Sequence, residues 1–154
     1  CTAGGLAHRL TETPGSSDWF EYGFVTYANR AKVDLLGVSP ETLDRHGAVS
    51  APVVRQMAIG ACRRADADFA LSISGIAGPS GGTADKPVGT VDFGLATPEG
   101  VYRRRYEFSA RSREYVRRAS IDTALSLLIW HVDEKLDRHG IDGPTPVDEV
   151  RSDH

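Results

Sequence analysis

The run Phe69-Ala70-Leu71-Ser72-Ile73-Ser74, followed at once by four glycines in the eight residues Gly75 to Gly82, constrains this chain more than any other feature. The nearly continuous apolar stretch from Asp68 to Ser74 reads as a buried strand. Glycine lets backbone N–H groups come close to a ligand and accepts positive φ. Ligands of open α/β sheets bind beyond the carboxyl ends of the strands. A cradle for a phosphate or carboxylate and a plain flexible turn therefore both fit the loop from Gly75 to Gly89.

The other elements follow from period and punctuation. Leu6 to Leu10 reads as a short helix, and Pro14-Gly15-Ser16-Ser17 as a turn. Gly23 to Tyr27 alternates and predicts a strand. Ala28 to Leu36 has helical spacing. Ser39-Pro40 starts a short helix that Gly47 ends, and Ser50-Ala51-Pro52 repeats the start signal. Beyond it, Val53, Val54, Met57, Ala58 and Ala61 share one helical face. Thr90 to Thr97 and Val101 to Phe108 flank Pro98-Glu99-Gly100 and predict a hairpin. Ser112 to about Leu136 predicts the longest helix, with Val116, Ala119, Ala124, Leu127, Leu128 and Val132 on its apolar stripe. Helices alternating with strands, plus one antiparallel hairpin, predict an α/β fold: a three-layer α/β/α sandwich with a mixed sheet.

With 154 residues, 40% apolar and 25% charged, the chain has the size and balance of one soluble globular domain. That domain is expected over residues 1–140, with a loose acidic tail over 141–154. No apolar run approaches a membrane span. No secretory leader is expected, because the first twenty residues hold Arg9, Glu12 and Asp18. Two cysteines, Cys1 and Cys62, are too few for a disulfide framework and point to a reducing cytoplasm. Met57 is the only methionine, so upstream residues or processing at Cys1 are expected.

Several chemistries are excluded by missing patterns. Neither G-x-G-x-x-G nor G-x-x-x-x-G-K-[ST] occurs, which argues against Rossmann and Walker-type nucleotide sites. The five histidines are scattered with no metal-ligand spacing, so no metal site is expected. The net charge of −3 gives no general attraction to nucleic acid. A local basic strip does exist, with seven arginines and two acids from Tyr102 to Arg118. A solvated strand edge, an arginine that pairs a phosphate or carboxylate, and a nucleic-acid surface all fit it, the last opposed by the acidic isoelectric point.

Only three lysines stand against fifteen arginines, which draws attention to Lys32 and Lys86. Lys32 follows a buried-looking strand and lies five residues after Tyr27. Partly desolvated there, it would have a lowered pKa and act as a base. Ser17 sits in a glycine-containing turn. It is either a turn former or a nucleophile, for which Lys32 is a candidate base if the fold joins them. An exposed Cys1 also fits an N-terminal hydrolase or a lipid anchor.

Taken together, many separated segments are specific. Cys1-Thr-Ala-Gly-Gly, Pro14-Gly-Ser-Ser, Gly23-Phe-Val-Thr-Tyr-Ala-Asn with Ala31-Lys32, His46-Gly-Ala-Val-Ser, Ser74-Gly-Ile-Ala-Gly-Pro, Gly81-Gly-Thr and Lys86-Pro-Val-Gly-Thr-Val resemble the CinA C-terminal domain family, in the family's order, from Cys1 to about Leu128. That family contains nicotinamide-nucleotide amidases. The resemblance implies a hydrolase without metal or cofactor that converts nicotinamide mononucleotide and water to nicotinate mononucleotide and ammonia, in pyridine nucleotide recycling. It implies Ser17 as nucleophile, with Tyr27 and Lys32 activating it or moving protons. It implies substrate contacts from Thr2, Gly4 and Gly5, from Ser74, Gly75 and Gly78, and from Arg113 toward the phosphate. It also implies a Glu-Ser pair just ahead of Cys1, a strand and helix further upstream, and a homodimer.

A non-catalytic nucleotide-binding or DNA-associated module is the alternative, kept open by the arginine strip and the competence and damage in the family's name. Release of ammonia separates it from the enzyme. The expected partner of the leading reading is a small nucleotide, with neither membrane nor nucleic acid.

Overall fold

The structure, a computed structural model, describes residues 1–108, 111–136 and 145–146. Among the described residues five helices and four strands follow one another: α1 (Gly5–Thr11), α2 (Asn29–Leu36), α3 (Pro40–His46), α4 (Ala51–Ala65), β1 (Ala70–Gly75), β2 (Thr90–Thr97), β3 (Gly100–Glu107), α5 (Arg113–Leu136) and β4 (Thr145–Pro146), with a 3-10 turn over Ser16–Asp18. Local chemistry explains the boundaries. Ser39 Oγ accepts the Thr42 amide at 3.4 Å, Pro40 occupies the first turn of α3, and Gly47 ends that helix at φ 72°. Ser50 precedes α4 but does not cap it. Its hydroxyl turns back and donates to the Gly47 carbonyl at 2.8 Å. Ser112 Oγ accepts the Tyr115 amide where α5 begins.

The sheet has the order β1-β2-β3-β4. Alternate residues of β2 separate its two faces. Val91 and Phe93 join Val116, Ala124 and Leu127 of α5 in one buried cluster. Gly94 faces the other way, where an added Cβ would stand 2.6 Å from the Val54 carbonyl of α4. A second buried cluster joins Val53 and Met57 of α4 to Leu36, Val38 and Leu43. Helices therefore cover both faces, α4 with α2 and α3 on one and α5 with α1 on the other, which is the expected three-layer α/β/α arrangement.

Four expectations need correction. Every strand pairing among the described residues is antiparallel, where a mixed sheet was anticipated. Residues 23–27 are extended yet pair with no described strand, because alternation secures an extended backbone without supplying a partner. The burial of β1 is inverted. Ser72 and Ser74 are its buried side chains, whereas Phe69 is 40% exposed. β1 has β2 on one edge and no strand on the other among the described residues, so its apolar side chains are only half-covered. The serines face α4 instead, and Ser72 Oγ donates to the Val54 carbonyl at 2.7 Å. On α5, Val132 lies off the buried stripe and is 41% exposed.

The arginine strip is largely occupied by structure. Arg105 forks onto Asp92, a carboxylate only 2% exposed, at 2.7 and 3.0 Å. That hydrogen-bonded pairing raises the Arg105 pKa. Arg111 lies over the Tyr115 ring. Among the described residues no helix is long and apolar enough to cross a membrane. The expected loose tail lies outside the described residues except for Thr145–Pro146, which pair with Tyr102 and Arg103 of β3.

Candidate active site

A cavity of about 880 Å³ opens between the extended segment 20–27, the Cys1–Gly4 turn and the uncovered edge of β1. That volume falls inside the span of roughly 300–1,000 Å³ usual for small-molecule sites. Lys32 is a buried residue of its lining. It stands in the first turn of α2 and is 5% exposed. Its ammonium donates to the Thr26 carbonyl at 2.9 Å and to the Tyr27 carbonyl at 3.3 Å. Both acceptors are neutral, and burial lowers the Lys32 pKa from its ordinary 10.5. The Tyr27 side chain is 67% exposed at the same cavity, so its carbonyl faces the lysine while its ring faces solvent.

Thr2 and Gly4, about 30 residues before Lys32 in the chain, line the same cavity. Ala3 at φ 50° and Gly4 at φ 87° form a left-handed turn that leads into α1. Arg117 of α5 fastens this turn by donating to the Thr2 carbonyl at 3.0 Å. The field here is positive. Lys32, Arg117 and Arg113 all bring their charge to this turn.

Ser74 and Gly75 line the cavity at the end of β1, together with Arg113 from the start of α5. Ser74 Oγ donates to the Ala48 carbonyl at 2.7 Å. Arg113 donates to the Gly78 carbonyl at 2.8 Å, which joins the glycine loop to α5. Several N–H groups of that loop are already committed: Ile76 donates to the Thr90 carbonyl at 2.9 Å, Gly89 to the Ile76 carbonyl at 2.8 Å and Thr83 to the Lys86 carbonyl at 2.9 Å.

The structure does not gather every expected residue. Ser17 sits exposed on the 3-10 turn and does not line the cavity, although its neighbours Asp18 and Trp19 do. Gly5 and Gly78 are also outside the lining. At Gly5 an added Cβ would stand 2.7 Å from Ile121 Cδ1, so this glycine permits the contact of α1 with α5. Gly78 contributes its carbonyl to Arg113 instead. Lining residues not foreseen include Thr26, Ala48 and Val49, and the carboxylates Asp18, Glu21, Asp66 and Asp68. Thr26 was within reach of the sequence, because alternation in 23–27 turns Phe24 and Thr26 to one side. Arg117 was too, one helical turn beyond Arg113. Among the described residues no group of three His, Cys, Asp or Glu side chains is placed to hold a metal ion.

The comparisons with known proteins agree with this architecture. The model of the CinA C-terminal domain matches residues 1–132. A CinA-like protein of Shewanella denitrificans is 56% identical over 128 residues, which is 83% of this chain and 30% of that protein. Nicotinamide-nucleotide amidohydrolase PncC of Escherichia coli is 55% identical over 128 residues, 83% of this chain and 78% of that protein. The protein of the same name from Shewanella oneidensis is 53% identical and is covered over 30% of its length. The chain thus spans under a third of the Shewanella relatives it matches. The crystal structure of competence/damage inducible protein CihA from Agrobacterium tumefaciens superposes with a TM-score of 0.82 at 46% identity, over 84% of this chain and 79% of that one. Matched by the family model over most of its length and by relatives at more than half identity, the chain belongs to the CinA C-terminal domain family.

Proposed function

We propose that this cavity hydrolyses the amide of nicotinamide mononucleotide, giving nicotinate mononucleotide and ammonia. The observation that carries the reading is a buried lysine held by two neutral carbonyls, on a nucleotide-sized cavity that also holds Thr2, Ser74 and Arg113. The names of the Escherichia coli and Shewanella oneidensis relatives support it. In this reading Lys32 carries the proton. With its pKa lowered, its neutral form is more populated than that of a surface lysine, and a neutral amine can accept a proton from an attacking hydroxyl. It then returns the proton to the departing ammonia. The C–N bond breaks and leaves an acyl ester on the attacking hydroxyl. Water, giving a proton to the same amine, attacks that ester, the Oγ–C bond breaks as the hydroxyl takes the proton back, and nicotinate mononucleotide leaves with the water's oxygen in its carboxylate. Arg113 offers charge for the phosphate, and the glycine loop offers backbone N–H groups.

In this reading Ser17, next in sequence to the cavity-lining Asp18, is the nucleophile, and Tyr27 of the cavity lining helps to move its proton. The protein incubated with nicotinamide mononucleotide is expected to release ammonia. Ser17→Ala is expected to lose roughly 10³-fold or more of that rate, as nucleophile removal does elsewhere. A wild-type chain that releases no ammonia overturns the reading. Full activity in Ser17→Ala removes that residue alone from the chemistry.

The same reading places the protein in the cytoplasm as a homodimer. Trp19, Tyr22, Val25 and Tyr27 are each more than half exposed within nine residues, a patch of the kind that interfaces cover. A sedimentation mass near twice 16.6 kDa is expected, and a monomer at working concentration contradicts it.

A further inference from the structure

Three successive carbonyls, those of His46, Gly47 and Ala48, each accept a side-chain donor from a different part of the fold. Lys86 Nζ donates to His46 at 2.7 Å, Ser50 Oγ to Gly47 at 2.8 Å and Ser74 Oγ to Ala48 at 2.7 Å. Such capture is unusual, because a loop normally turns its carbonyls to water. The segment is also the end of α3, where Gly47 takes φ 72° and the helix carbonyls concentrate negative charge. A lysine ammonium there makes a charge-assisted bond.

The two residues that follow, Ala48 and Val49, line the cavity, whereas Lys86 does not. Lys86 itself is fixed within its loop. Its amide donates to Thr83 Oγ1 at 3.1 Å, and the Thr83 amide donates to the Lys86 carbonyl at 2.9 Å. The glycine loop is therefore fastened at both ends, through Arg113 to α5 and through Lys86 to α3.

We propose that Lys86 is a positioning residue that holds the Ala48–Val49 wall of the cavity and thereby sets the affinity for the nucleotide. This rests on the functional reading above. A lysine that only stabilised the fold would change the melting temperature and leave the ratio of KM to kcat alone. Lys86→Met should raise KM for nicotinamide mononucleotide about 5- to 10-fold with kcat within about twofold, a loss of uniform binding. Lys86→Arg, which keeps a charged donor, should return KM to within about twofold of wild type.

Hydrogen exchange of the amides over 46–50 provides a readout independent of turnover. It should accelerate about tenfold or more in Lys86→Met, with exchange in β2 unchanged, and should return toward wild type in Lys86→Arg. Unchanged exchange overturns the proposal, as does faster exchange with unchanged KM, or a KM that Lys86→Arg fails to restore. A wild-type chain that neither turns over nor calorimetrically binds nicotinamide mononucleotide overturns the functional reading instead. The claim that Lys86 sets nucleotide affinity falls with it, and exchange then decides whether Lys86 holds the wall.

Discussion

Lys32→Met is expected to lower ammonia release from nicotinamide mononucleotide by roughly 10²- to 10⁴-fold, the span associated with losing a positioned acid or base. Methionine keeps most of the side-chain volume in a site that is 5% exposed, so packing is retained while the titrating group is lost. Lys32→Arg should not rescue the rate. A guanidinium stays charged at every accessible pH, and its planar fork does not fit the two carbonyl acceptors that a compact ammonium reaches. The pH profile separates the roles further. If the neutral amine is the base, wild-type kcat/KM rises with pH through an apparent pKa below 10.5, because burial lowers it. Lys32→Met should lack that limb.

Stability moves in a related way. The unfolded lysine keeps its proton up to its ordinary pKa of 10.5, and the folded one releases it at a lower pH. Between those two values the unfolded state binds more protons, so stability rises with pH across that window. Denaturation of wild type and Lys32→Met at a series of pH values checks this. A wild-type curve parallel to that of the variant would remove the claim that Lys32 is desolvated.

The elements that could be read from the sequence were those with local punctuation. Ser39-Pro40 and Gly47 bound α3, and Val53, Val54, Met57 and Ala58 mark the buried face of α4 as the helical period requires. The hairpin is where Pro98-Glu99-Gly100 placed it, with Thr97 opposite Gly100. What could not be read was partnership. The sequence shows that Phe69, Leu71 and Ile73 are apolar, but not that β1 lies at an edge, nor that α4 covers the face of Ser72 while Leu71 and Ile73 pack only partly buried on the other. The same holds for 23–27, whose extended form is local and whose pairing is not.

The site divides along the same line. Lys32 stood out because the chain otherwise prefers arginine, and its burial follows from the chain doubling back at Thr26. Gly5 belongs to a glycine motif, yet its neighbour is Ile121, a contact across more than a hundred residues that no local pattern encodes. Arg113 was expected to face a phosphate. Its partner in the fold is the Gly78 carbonyl, 35 residues away in the chain. Motif spacing identifies which residues are constrained. Whether the constraint is chemical or steric depends on contacts that only folding creates.

Gly60→Ala is expected to cost about 3 kcal/mol or more, at the upper end of overpacking effects, and to lower Tm by roughly 10 °C in a chain of this length. A Cβ built at Gly60 would stand 1.8 Å from the Leu36 carbonyl oxygen, 2.7 Å from its carbon and 3.0 Å from its Cα. All three atoms are backbone, so no rotamer change relieves the clash and α2 must move away from α4. Gly37→Ala is the control. Gly37 has φ 67° with nothing within 4 Å of its added Cβ, so only left-handed strain of about 1–2 kcal/mol opposes the change. The two glycines are 23 positions apart in sequence, yet both lie at the end of α2 that Leu36 closes.

The consequence for the site differs between the two variants. Leu36 is one helical turn beyond Lys32, and the Val38 amide donates to the Lys32 carbonyl at 3.2 Å, so displacing this end of α2 displaces the lysine. Gly60→Ala should therefore lose activity per folded molecule, measured well below its Tm, while Gly37→Ala should keep activity and lose only stability. A Gly60→Ala protein that melts within about 3 °C of wild type would mean that α2 and α4 do not approach so closely. The rigid seat given to Lys32 would then have to be sought in the Thr26 and Tyr27 carbonyls alone.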